Sequence, residues 1–208
     1  MLKTSCNKHR RPAATRHAPD QRGASLIMVL LILVVVSVLG AGGAQIALMS
    51  ERGARNDRDQ QVSWQAAEAA LIDAEAEMYG PGTATRRAIF DSKNQVDFVS
   101  GCGTTGNSLG LCALNATGKP AWLVADFTNV SATAMTVPLG QFTSRTFAAG
   151  VPGTITGIQP AQLPRYVIEM IPDPIGSRSA PTYLYRVTAI GFGPRSDIQS
   201  VVQMVYRI

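Results

Sequence analysis

The chain has 208 residues, enough for one domain of ordinary size with an appended segment and too few for two large catalytic domains. Only 16 % of its residues are charged, against roughly 25 % in an average soluble domain, so part of the chain avoids water. The formal charge of +5 sits in residues 1–23, where Lys3, Lys8, Arg10, Arg11, Arg16 and Arg22 face Asp20 alone; the remainder carries 13 basic and 13 acidic residues, which leaves no basic surface for nucleic acid.

Residues 24–50 contain no charge, and Leu26–Leu39 is apolar apart from Ser37. From Leu26 to Met49 a helix rising about 1.5 Å per residue spans roughly 36 Å, which crosses a hydrocarbon core of about 30 Å with some tilt. The stretch exceeds the roughly 7–15 apolar residues of a secretory signal. The basic residues before it, against the balanced Glu51, Arg52, Arg55, Asp57, Arg58 and Asp59 after it, place the N-terminus in the cytoplasm and the rest outside.

Past Glu51 the helical pattern continues. Up to Met78 there is no proline and one glycine, Gly53, while Trp64, Ala67, Leu71, Ala74 and Met78 recur at spacings of three and four, one apolar face. Tyr79-Gly80-Pro81-Gly82 stops it. The expectation is a single helix over 24–79, roughly 84 Å long, apolar all round at first and then amphipathic, its second half laid on a sheet. Gly40, Gly42 and Gly43 have two readings, close packing against another helix or a weak point that lets the helix stretch. Asp73, Glu75 and Glu77 oppose the helix dipole and are expected to be solvated or paired with Arg86 or Arg87.

Beyond Pro81 glycine, proline, serine and threonine become frequent and apolar runs shorten to strand length. Residues 165–171, 183–190 and 198–206 are rich in β-branched and aromatic types and read as strands; the last two, joined by the turn-forming segment 191–197, predict an antiparallel hairpin. Residues 121–127 are a candidate strand and 148–159 an irregular loop. Cys102 and Cys112 lie in a glycine-rich segment outside the membrane, where an oxidising compartment predicts a disulfide. Cys6 has no partner on its own side.

Both histidines, His9 and His17, precede the apolar stretch, which removes Ser-His-Asp, Cys-His and H-E-x-x-H chemistry from the exported part. Its carboxylates Asp91, Asp97, Asp126, Glu169, Asp173 and Asp197 are scattered, without a catalytic pair or calcium-loop spacing. Residues 101–106 match G-x-G-x-x-G, but no helix is expected to follow, so the match reads as a property of a glycine-rich loop. No catalytic residue, metal site or cofactor is expected, and the chain is read as a non-enzyme.

The segment Gln21-Arg22-Gly23-Ala24-Ser25-Leu26-Ile27 resembles the processing site of a type IV prepilin. Read with residues 22–31, 65–71 and Glu75, 110–112, 164–169 and 185–193, the chain is similar to the PilX family of minor pilins. The resemblance implies an α+β type IV pilin fold, a long N-terminal helix packed on a C-terminal antiparallel sheet. It divides the chain into a cytoplasmic leader (1–23), a transmembrane helix half (24–50), an amphipathic helix half (51–80) and an extracytoplasmic domain with a disulfide loop and the sheet (81–208). Prepilin peptidase would cut between Gly23 and Ala24, and Ala24 would be N-methylated. The implied partners are that peptidase, other minor pilins and the pilus assembly machinery. The implied location is the bacterial inner membrane, crossed once, then the pilus. Most pilins carry glutamate at the fifth residue after the cut; here it is Met28, a departure shared by PilX-like proteins that favours initiation or tip placement. The alternatives are a tip pseudopilin of type II secretion and an uncleaved anchored binding module.

Overall fold

A computed structural model describes residues 24–80, 86–115, 117–147, 157–177, 179 and 181–208. The chain divides into two units, one ending at Glu51 and one running from Arg52 to Ile208. Helix α1 covers Ala24–Tyr79, as the uninterrupted pattern predicts.

In the first unit every described side chain from Ser25 onward is exposed, and the helix is long and apolar enough to cross a membrane. Leucine, valine and isoleucine suit a segment whose backbone groups must all be paired within the helix. The hydroxyl of Ser37 is accommodated by donating to the Leu33 carbonyl one turn back, at 2.7 Å.

In the second unit the pattern becomes one-sided: Ser63, Ala66, Ala67, Ala70, Leu71, Asp73, Ala74, Glu77 and Met78 are buried. The expected stripe is present with one correction. Trp64 is 50 % exposed and stands beside the buried face, its indole Nε1 donating to Glu68 at 2.7 Å. α1 ends as Gly80 N–H bonds the Ala76 carbonyl at 2.8 Å, and Pro81 has no N–H with which to continue the ladder.

Five strands form one sheet: β1 (Leu111–Cys112), β2 (Val137–Pro138), β3 (Arg165–Pro172), β4 (Tyr183–Phe192) and β5 (Gln199–Tyr206). Their order is β1-β3-β4-β5, with β2 also pairing with β3. The three long strands are antiparallel, in register through Ile168↔Val187 and Val187↔Met204; β1 adds a parallel contact, so the sheet is mixed at that edge. Residues 121–127, a candidate strand, instead contain the single helical turn α2 (Ala121–Val124), with Leu123 and Val124 both exposed. Ala121 and Leu123 are good helix formers, and two adjacent exposed residues break the alternation a strand requires.

Both faces of β3 and β4 are covered. Tyr166, Ile168, Met170, Tyr185, Val187 and Ala189 meet Ala70, Leu71, Ala74 and Met78 of α1, while Val167, Ile190 and Phe192 meet the cysteine loop, Ala121 and Phe127. That double burial is why β3 and β4 read as near-continuous apolar runs. β5 is buried less and ends the sheet. The helix backbone approaches the sheet tightly at Gly191, where a Cβ would stand 2.1 Å from the Ser63 carbonyl oxygen and 2.2 Å from the Ala67 nitrogen.

Candidate functional site

Of the residues expected to matter, Gly23 lies outside the described residues, and Ala24 opens α1. Met28 follows within the apolar turns and is 71 % exposed. A Cβ on Gly40, Gly42 or Gly43 would meet nothing within 4 Å, so these glycines present bare backbone to whatever surrounds the helix.

Cys102 and Cys112 form the expected disulfide. It closes a short ring and packs under β3 and β4 beside Val167 and Phe192. The glycines of the G-x-G-x-x-G match serve this ring: Gly101 and Gly106 have φ of +77° and +57°, and a Cβ on Gly103 would lie 2.2 Å from the Ser108 carbonyl oxygen. The three-residue 3₁₀ turn Gly106–Ser108 follows, in place of the helix that a dinucleotide-binding G-x-G-x-x-G opens.

The C-terminal turns of α1 carry a buried polar seam. Glu77 is fully buried and pairs with the equally buried Arg86; Tyr166 of β3 donates its hydroxyl to the other carboxylate oxygen. Arg86 Nη1 donates to the carbonyls of Asn107 (2.8 Å) and Leu109 (2.6 Å), and its guanidinium lies 3.6 Å from the centre of the Phe142 ring. Burial pushes the Glu77 carboxyl up, with Arg86 and then Tyr166 pulling it back, and pushes the Arg86 guanidinium down. One turn earlier, buried Asp73 accepts from the Gly140 N–H at 2.8 Å and from the Thr143 hydroxyl. The pairing of Glu77 with Arg86 was one of two expected partners; Arg87 is exposed and bonds the Gly80 carbonyl at 3.1 Å. Glu75 is exposed.

Between α1 and β5 runs an open groove of about 550 Å³ whose walls include Trp64, Ile72, Val201 and Met204, with Glu68 and Glu75 at its margin. Trp64, Ile72, Val201 and Met204 are all about half exposed. Among the described residues no three of His, Cys, Asp and Glu come together as a metal-binding group.

The groove and the anchoring of Asp73 were not anticipated. The signal for Asp73 and Glu77 was their place at the helical spacing of Ala66, Ala70 and Ala74, a buried register where a carboxylate needs a partner. The cross-strand pair of buried Glu169 and partly exposed Arg186 carried no such local signal, since it depends on the β3/β4 register.

A long N-terminal helix, apolar first and then packed through a small-residue face on a largely antiparallel sheet, is the architecture of a type IV pilin. Residues 22–71 match the PilX N-terminal family model, and residues 99–208 match that of the Type IV pilus assembly protein PilX C-term. The chain belongs to the PilX family of type IV pilus assembly proteins, minor pilins that are structural components of the pilus. No curated protein and no solved structure matches the chain.

Proposed function

We propose that this chain joins other minor pilins in the inner membrane, primes polymerisation of the pilus, and travels outward at or near its tip. Processing comes first. Prepilin peptidase cuts between Gly23 and Ala24 at the cytoplasmic face, and Ala24 is N-methylated. The leader of residues 1–23 is thereby lost, α1 crosses the membrane once, and the domain from residue 81 onward lies in the periplasm.

The observation that carries the reading is Met28, set in a helical stretch with no charged residue from Ala24 to Ser50. A carboxylate within the membrane is costly and is retained where it meets a cation. A subunit without it offers nothing to the amino terminus of a neighbour, which suits a chain that starts the stack better than one repeated along it.

Intact mass of the membrane-extracted protein, with and without co-expressed prepilin peptidase, tests processing. Loss of residues 1–23 is expected only with the peptidase present. Gly23→Val should abolish that loss and reduce piliation; normal processing and normal pili in this variant would overturn the proposal.

A further inference from the structure

Arg165, at the head of β3, is a buried residue without an anionic partner among the described residues. It is 7 % exposed. Nε donates to the Thr136 hydroxyl at 2.6 Å and Nη2 to the Thr136 carbonyl at 2.8 Å, which leaves Nη1 without a hydrogen bond among the described residues. The other arginines facing the sheet have acids: Arg86 has Glu77 and Arg186 has Glu169. No described carboxylate pairs with Arg165. Of the segments outside the description, residues 81–85, 116, 148–156, 178 and 180 contain no Asp or Glu, and the leader holds Asp20 alone.

Beside this guanidinium opens a pocket of about 260 Å³ in which Arg165 is the single charged residue. Thr104, Ser131 and Thr136 supply hydroxyls, Gln141 an amide, and Val130 and Pro138 apolar wall. Burial holds the Arg165 guanidinium below its usual range with no neighbouring charge to oppose it. The pocket is smaller than the roughly 300–1,000 Å³ that suit cofactors and drug-sized molecules. One positive charge balances a monoanion and would leave a phosphate dianion under-neutralised in a partly dry site.

We propose that this pocket binds a carboxylate, with the free Nη1 end of Arg165 as its charged donor and the surrounding hydroxyls and amide as neutral ones. The carboxylate belongs to an acidic side chain presented by a docked protein or to a small free acid; the recognition chemistry is the same. The assignment does not depend on the pilus reading above.

The test is thermal unfolding of the full-length chain in detergent, titrated with sodium acetate against sodium chloride at equal ionic strength. Acetate should raise the midpoint with the logarithm of one plus its concentration over its dissociation constant, by about 3–6 °C at ten times that constant. Val130→Trp, a substitution at a 68 % exposed rim position that leaves the bonds to Thr136 in place, should unfold like the parent in chloride and lose the acetate response. Arg165→Lys should lose it as well. Equal midpoints in acetate and chloride, or an undiminished response in Val130→Trp, would overturn the proposal, whether or not Arg165→Lys folds. A photo-crosslinking residue at position 130 in cells then separates the sources. An Arg165-dependent adduct with another polypeptide assigns the carboxylate to a protein, and an acetate response without such an adduct assigns it to a free acid.

Discussion

At the residue scale, the seam at the end of α1 shows how much depends on completing a charge. Glu77 and Arg86 are each fully buried, and removing one strands the other. Arg86→Met should therefore cost about 3–5 kcal/mol in urea unfolding, while the double change Glu77→Leu with Arg86→Met should recover much of that loss by removing both charges. Gly191 sets a different limit, one of space. Gly191→Ala would drive a methyl into the Ser63 carbonyl and the Ala67 amide, backbone atoms that cannot turn aside. A loss of roughly 1–3 kcal/mol is expected, with lowered hydrogen-exchange protection along residues 60–70 as the separate sign that the helix has lifted.

At the element scale, the cysteine ring and α2 cover the face of β3 and β4 opposite α1. Cys102→Ser should lower stability by somewhat under ~3 kcal/mol, the loop-closure value for a ring this short. An unchanged thermal midpoint would mean the bond constrains nothing. α1 and the three long strands were legible because each carries its own periodicity or an unbroken apolar run bounded by turn residues. β1 and β2 were not, since two residues have no period and pair only because β3 is already in place. The stripe on α1 was read one residue too wide at Trp64, where an aromatic at helical spacing flanks the buried face. The site was legible in part. The cysteines and the pairing of Glu77 with an arginine nine positions on are local enough to read, whereas the third member of the seam, Tyr166, lies 89 positions on, a distance no sequence window connects.

At the scale of the whole molecule, the tyrosines bind the domain to a protonation state. Tyr206 is pushed up to about 12, and Tyr79, Tyr166 and Tyr185 are also raised, in each case first by burial. A phenol whose pKa is higher folded than unfolded contributes stability that is complete below its ordinary value near 10 and is lost as pH rises through the folded value. Urea midpoints should hold steady from pH 7 to about 9.5 and fall between about 10 and 12. Absorbance at 295 nm should show tyrosine ionisation delayed until that fall. A midpoint that declined already between pH 8 and 9 would point to another group.

The grip between α1 and the sheet also decides how the domain bears load. From Ser63, held to Ser200, through Asp73 at Gly140 to Glu77 at Arg86 and Tyr166, the helix is fastened at three points along its second half rather than at one end. Tension along the helix axis is then shared in shear by all of these fasteners together. A pull on the second half of α1 therefore reaches the domain through these side-chain contacts as well as through the covalent chain.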